Sequence, residues 1–331
     1  MLKHGGRLRE AAARYGMPME EWLDLSTGIN PDGFPATPLP PSAWSRLPED
    51  EDGLEAAARA YYDTDALLAV AGSQAAIQAL ARLRGPCRVG IISPGYAEHA
   101  YAWRRAGHQV AAVPVADLGS AARYVDVLVV INPNNPTGDR FAPEILLDWH
   151  ACLAARDGWL VVDEAFIDPT PADSLAPYST RPGVIVLRSL GKFFGLAGAR
   201  VGFVLAESSW LHRLGGHLGP WTVAAPSRWV AERALADRAW HEATRTQLLK
   251  KAERLTALLR QHGLAPGGGC ALFQWAPIPH AAALHERLAR QGILTRLFTE
   301  PASLRFGLPG AEAGWARLEE ALANATAATP L

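Results

Sequence analysis

Three short stretches end in polar residues that are costly where they stand unless they act together. In RSLGKFFGLAGAR (residues 188–200), Lys192 follows the apolar run GVIVL. A lysine there either snorkels its amine to solvent or is held inside for chemistry. In WLVVDEAF (159–166), Asp163 closes an apolar run. A carboxylate is expensive there unless paired or hydrogen-bonded; a helix cap or an ion pair is the structural alternative. In INPNNPTGD (131–139), Asn132, Asn134 and Asn135 stand between prolines, a composition that turn chemistry alone also explains. Taken together, amine, carboxylate and amide match the needs of a pyridoxal phosphate site. A lysine condenses with the cofactor aldehyde, a carboxylate pairs with the pyridine nitrogen, and an amide holds the ring hydroxyl. The phosphate calls for a helix N-terminus with Ser and Arg nearby. AGSQAAIQAL (71–80) opens such a helix at Ser73, and Ser189 and Arg200 flank the lysine. Tyr96 in SPGYAEHA (93–100) is either a ring that stacks on the pyridine or an ordinary loop aromatic.

The elements needed to position these residues are visible as seven strand-length apolar runs. They are LLAVAG, CRVGIIS, QVAAVPV, VDVLVVIN, WLVVDEAF, GVIVLRS and RVGFVLA, several with helical segments between them. Runs apolar on both faces suit a mostly parallel sheet covered by helices. In such a sheet the site forms outside the strand ends. The segment PDGFPATPLPPSAWSRLP (31–48) is proline-rich and reads as an ordered irregular arm, not a helix or central strand. After about residue 222 the pattern shifts to long helices, then to the short strands CALFQWA, ILTRLF and SLRFGL and a last helix near 311–325. The GGG at 267–269 reads as a flexible connection before a strand.

Composition excludes several classes. Net charge is −1, from 32 basic and 33 acidic residues, and no stripe is basic enough to track a phosphate backbone, which argues against nucleic acid. Three cysteines without metal or disulfide spacing fit a reducing compartment. The charged start MLKHGGRLREAAARYG does not read as a signal peptide, and no apolar run reaches membrane-span length. The expectation is a cytoplasmic protein that binds neither membrane nor metal.

SLGKFFGLAGARVGF, NPNNPTG, VVDEAF and PGYAEHA resemble the fold type I aminotransferases, specifically the histidinol-phosphate aminotransferase group, in order and spacing. That resemblance implies an α/β fold type I architecture: a large domain with a mostly parallel seven-stranded sheet between helices, plus a smaller α+β domain. The domains would be an arm and linker at 1–48 contributing to the small domain and active site, a large cofactor domain at 49–222, and a small domain at 223–331. It further implies pyridoxal 5'-phosphate as cofactor, with Lys192 as the Schiff-base lysine and Asp163 as the pyridinium partner. Asn135 would bond the ring hydroxyl, Tyr96 would stack, and Ser73, Gln74, Ser189 and Arg200 would hold the phosphate. A homodimer is implied as well.

The N-terminus is similar to the threonine-phosphate decarboxylases of cobalamin biosynthesis. It carries their His-Gly-Gly element as His4, Gly5 and Gly6, and their turn as Asp24, Ser26, Ile29, Asn30 and Pro31. Two glycines expose backbone N–H groups, so an anion-binding role for His4 and Gly5 is chemically sound. By the same resemblance Arg296, Arg305 and Asn30 take the substrate's carboxylate and phosphate, a task suited to arginine. The implied reaction is decarboxylation of L-threonine O-3-phosphate to (R)-1-amino-2-propanol O-2-phosphate and CO2. The alternatives are a histidinol-phosphate-type aminotransferase and a non-catalytic pyridoxal-phosphate-binding subunit of a cobalamin-pathway complex. Three positions depart from the pattern. Leu47 replaces a tyrosine that reaches the partner subunit's cofactor phosphate, Gly191 replaces Ser or Thr, and Phe166 replaces a tyrosine that bonds the ring oxygen. Fewer donors imply weaker cofactor retention.

Overall fold

The structure is a computed structural model; it describes residues 4–35 and 38–327. The chain divides into two units, one of residues 33–135 and 140–243, the other of residues 1–32, 136–139 and 244–331.

The larger unit is built on seven strands: β1 (Leu67–Val70), β2 (Arg88–Ser93), β3 (Gln109–Pro114), β4 (Val127–Ile131), β5 (Trp159–Asp163), β6 (Val184–Ser189) and β7 (Gly202–Leu205). Their order is β1-β7-β6-β5-β4-β2-β3. Only β7 runs antiparallel to its neighbours β1 and β6; the other pairings are parallel. Strands β4, β5, β6 and β7 are buried along their whole length, as strands covered on both faces must be. Edge strand β3 is the most exposed and ends on Pro114, a residue that suits an edge. Alternate residues Val127, Val129, Trp159, Val161, Ile185 and Leu187 share one core with Ile77 and Leu80 of the helix Ser73–Leu80 and with Trp103 of the helix Ala97–Arg105. Strand parity therefore aims Asp163 and Ser189 at those two helices, and Glu164 and Arg188 at the opposite face.

In the smaller unit four antiparallel strands form a sheet: β8 (Gly268–Cys270), β9 (Phe273–Pro277), β10 (Arg296–Thr299) and β11 (Ala302–Gly307), in the order β10-β11-β9-β8. The run ILTRLF is interrupted at Thr295; Ile293–Leu294 pairs instead with Leu23–Asp24. The last helix is Glu312–Ala327.

Several expectations change. The division read at 222/223 moves to 243/244, within the helix Arg238–Gln261. The reason is the helix Ala225–Ala236, whose buried Arg228 bonds Asp52 and Glu55 beside the helix Leu54–Tyr62. The N-terminal segment likewise divides between the units at Asp32 rather than ending as one arm at residue 48. Within that segment one helical turn, Ser42–Ser45, starts directly behind Pro40 and Pro41, where proline is tolerated. The glycine run at 267–269 is not a flexible connection. Gly268 and Gly269 lie in strand β8, and a Cβ on Gly268 would stand 2.1 Å from the Thr137 carbonyl oxygen. Gly138 answers from the other side: its Cβ would meet the Gly269 nitrogen at 2.3 Å. The glycines are there because two backbones approach closely.

Candidate active site

In the larger unit the C-terminal ends of adjacent strands bring the expected cofactor residues together. Asp163 ends β5 and is 3% exposed. Its Oδ1 accepts the Ala165 N–H at 3.1 Å, and its Oδ2 lies 2.9 Å from His99 Nε2. His99 lies within the stretch PGYAEHA, is buried, and comes from the helix Ala97–Arg105. The one local signal is a histidine three residues after Tyr96, on the same side of the helix start.

Of the three asparagines after β4, two are buried and hold the loop. Asn132 donates to and accepts from Phe141 at 3.1 Å in both directions, and Asn134 donates to the Pro94 carbonyl at 2.8 Å. Asn135 is half-buried and is the last residue before the chain passes to the smaller unit.

Lys192 follows β6, half-buried, between Gly191 and the fully buried Phe193. Its Nζ stands 5.4 Å from the centroid of the buried Phe166 ring. At Gly191 a side chain would press on Ala197, whose Cα would stand 3.3 Å from the added Cβ. Ser189 Oγ accepts the Gly191 N–H at 3.2 Å.

The helix Ser73–Leu80 begins behind Gly72, at φ 73°. Arg200 lies over that glycine so closely that a Cβ there would be 2.6 Å from an Nη. Gly202 packs under the same helix start; its Cβ would fall 2.5 Å from the Ser73 nitrogen. A guanidinium, a serine and the first N–H groups of an eight-residue helix thus share one cradle. At its side Tyr96 Oη donates to Gln74 Oε1 at 3.2 Å, and Gln74 Nε2 donates to Glu98 at 2.9 Å.

Behind this set, on the opposite face of the sheet, Arg188 is enclosed by two carboxylates. Its guanidinium bonds Glu164 at 2.9 Å and Asp168 at 2.5 Å and lies over the Tyr62 ring. Burial pushes the Glu164 carboxyl upward against the pull of Arg188 and of the Ser174 and Leu175 donors. The network joins the residue after Asp163 to the residue before Ser189, so the ends of β5 and β6 are tied together.

The smaller unit gathers the other expected set. The Gly6 N–H donates to Ser26 Oγ at 2.7 Å, while Ser26 N–H and Oγ both donate to Asp24 Oδ1, at 2.9 and 2.6 Å. Gly5 has room for no side chain; a Cβ would fall 2.3 Å from the Ser26 carbonyl oxygen. That carbonyl accepts Arg305 Nη2 at 2.9 Å. His4 is half-buried at the head of this strap, and Asn30 is buried with its Oδ1 accepting the Asp32 N–H at 3.0 Å. Arg305 is 6% exposed on β11, directly opposite the half-buried Arg296 on β10. Burial, and then the charge of Arg296, lower the Arg305 guanidinium to about 10.

The donor set of the larger unit fits pyridoxal phosphate on chemical grounds. It offers an amine beside an aromatic face, a buried carboxylate, an amide, a phenol and a cationic helix-start cradle. Among the described residues no cluster of His, Cys, Asp and Glu is placed to hold a metal ion, and no helix is long and apolar enough to cross a membrane.

Comparison with known proteins agrees with this reading. Residues 50–323 match the family model for aminotransferase class I and II. A threonine-phosphate decarboxylase of Pseudomonas aeruginosa is 59% identical over 322 residues, covering 97% of each chain. One from a Sinorhizobium species is 43% identical over 330 residues, covering 98% of each. In fold, the chain is similar to the histidinol-phosphate aminotransferase of Sinorhizobium meliloti solved with pyridoxal-5'-phosphate. The TM-score there is 0.86 at 21% identity, with 99% of this chain and 96% of that one covered. It is also similar to an L-threonine-O-3-phosphate decarboxylase of Porphyromonas gingivalis, with TM-score 0.75, 21% identity, and 91% and 98% covered.

Proposed function

We propose that this chain, which belongs to the class I and II aminotransferase family, is a pyridoxal-phosphate-dependent carboxy-lyase acting on L-threonine O-3-phosphate. Its products are (R)-1-amino-2-propanol O-2-phosphate and CO2, made for cobalamin biosynthesis. The observation that carries the reading is the 59% identity to a threonine-phosphate decarboxylase across 97% of both chains.

When bound, pyridoxal phosphate supplies a carbonyl that captures amines and a ring that withdraws electrons from the atom next to the captured nitrogen. This chain's residues do the rest. Lys192 provides the amine that anchors the group. Asp163 holds a proton at the pyridine nitrogen. Asn135 donates to the ring hydroxyl and Tyr96 stacks on the ring. Ser73, Gln74, Ser189 and Arg200 take the phosphate, helped by the helix-start N–H groups.

The residues that bind the substrate's anions would orient it, and that orientation would decide which of its bonds faces the electron-withdrawing ring. Arg305 takes the α-carboxylate; Arg296, His4, Gly5 and Asn30 take the phosphate. The paired arginines support this assignment, since an anion relieves the repulsion between two guanidinium groups on opposite strands. A homodimer is part of the proposal. It is supported by Trp44, Leu47 and Trp221, which stand 72, 63 and 61% exposed in the larger unit, a costly arrangement unless covered. A cytoplasmic location is supported by three cysteines that form no disulfide.

The test is product analysis. Carbon dioxide released from threonine phosphate with no keto acid present supports the lyase. Turnover that needs a keto acid selects the aminotransferase reading instead.

A further inference from the structure

Two helices of the larger unit meet through two amides and one carboxylate. Gln74 and Gln78 lie one turn apart on the helix Ser73–Leu80, so their side chains share a face. Glu98 stands in the first turn of the helix Ala97–Arg105. Its Oε2 accepts Gln74 Nε2 at 2.9 Å and, over a longer reach, Gln78 Nε2 at 3.4 Å. These three side chains and Tyr96 are all half-buried.

The carboxylate settles which way the Gln74 amide points. An ionised carboxylate only accepts hydrogen bonds, so the NH2 end of Gln74 faces it. A reversed amide would set two acceptor oxygens against each other. With Nε2 committed to Glu98, Oε1 is the end that meets Tyr96, and the phenol donates to it at 3.2 Å. The bonds therefore run in one direction, from Tyr96 to Gln74 to Glu98. An aromatic ring held only at its Cβ can tilt; one also held at its far oxygen keeps its place.

We propose that Glu98 is a positioning residue for the cofactor site: by fixing the Gln74 amide it makes Gln74 an acceptor for the Tyr96 phenol, and so holds the Tyr96 ring in place to stack. The inference rests on the assignment of Tyr96 to the cofactor ring. Glu98 acts through Gln74 and Tyr96, not on the cofactor itself. With its side chain engaged at both ends, Gln74 serves the phosphate through its backbone N–H at the helix start.

The experiment titrates the full chain, freed of cofactor, with pyridoxal phosphate and separately with pyridoxal, which lacks the phosphate. Glu98→Met removes the acceptor, and Glu98→Gln keeps one in its amide oxygen. Tyr96→Phe keeps the ring and removes the hydroxyl. Glu98→Met is expected to weaken both ligands by the same factor, about three- to tenfold, the effect of one lost hydrogen bond. Glu98→Gln should return both affinities toward the parent. Tyr96→Phe should lose as much as Glu98→Met, and the two together should lose no more than about twofold beyond either alone. Should Glu98→Met fail to fold, Glu98→Ala takes its place.

Charge alone predicts the opposite sign. A carboxylate acting directly on the phosphate would repel it, so its removal would tighten pyridoxal phosphate and leave pyridoxal unchanged. That result overturns the inference, as do independent, additive losses for Glu98→Met and Tyr96→Phe. Tyr96→Ala separates this inference from the site assignment. If it weakens cofactor binding while Glu98→Met does not, Tyr96 stacks without help from Glu98. If Tyr96→Ala leaves binding unchanged, the assignment of Tyr96 fails, and the role of Glu98 with it.

Discussion

Arg296 and Arg305 are direct register partners on antiparallel strands, so two guanidinium groups leave the same face of the sheet side by side. Like charges so placed repel, and burial of Arg305 raises the cost. An anion bound to Arg305 relieves both. Arg305→Ala is therefore expected to weaken threonine phosphate and unphosphorylated carboxylate ligands alike, by about ten- to a hundredfold. Calorimetric titration of each ligand checks this. Unchanged affinity for plain carboxylates would remove Arg305 from carboxylate recognition.

The strap formed by Gly5, Gly6 and Ser26 carries His4 at its head. His4→Ala should weaken threonine phosphate while leaving threonine, which lacks the phosphate, nearly unaffected. Gly5→Ala should act in the same direction, because its Cβ would overlap the Ser26 carbonyl oxygen at 2.3 Å and push the strap off. Equal loss for both ligands in His4→Ala would mean that the N-terminal strap does not read phosphate.

Lys192→Ala should abolish covalent attachment of the cofactor. Borohydride reduction of the loaded parent followed by mass spectrometry should show the cofactor's mass added to one peptide, the one containing residue 192. A variant that still gains that mass after reduction would locate the anchor elsewhere.

Arg228 donates to Asp52 at 2.6 and 2.8 Å, and the Leu54 N–H donates to the same carboxylate at 3.1 Å. Burial alone would raise the Asp52 carboxyl, but these donors outweigh it and hold the group below its ordinary value. A depressed carboxyl pKa adds stability that is complete above the unfolded value, about pH 4, and is lost as pH falls through the folded value. The melting temperature of the parent should thus exceed that of Asp52→Asn near neutrality, and the gap should close in acid. A gap that stays constant from neutral to strongly acidic pH would show that ionisation of Asp52 contributes nothing.

The sequence by itself determined the mostly parallel sheet and which polar residues follow its strands. Runs such as VDVLVVIN, WLVVDEAF and GVIVLRS are apolar through their centres on both alternating faces, which only strands covered on both sides tolerate. Because neighbouring parallel strands end on the same edge, Asn135, Asp163 and Lys192 leave the sheet from that one edge once those runs are strands. The start of the helix Ser73–Leu80 was legible for a local reason, a glycine followed by Ser73.

What the tertiary structure decided are pairings between segments with no common period. His99 meets Asp163 across 64 residues, and Arg305 meets the Ser26 carbonyl across 279. Neither partner carries a local mark of the other, since a histidine bonding a carbonyl and one bonding a carboxylate look alike in sequence. The glycines at 267–269 followed the same logic. Glycine suits a flexible link and a tight backbone contact equally well, and only the arrival of Thr137 and Gly138 selects the second. The division at 243/244 falls inside a continuous helix, where composition does not change. It was set by Arg228 finding Asp52 and Glu55, a choice made by packing and charge across more than half the chain.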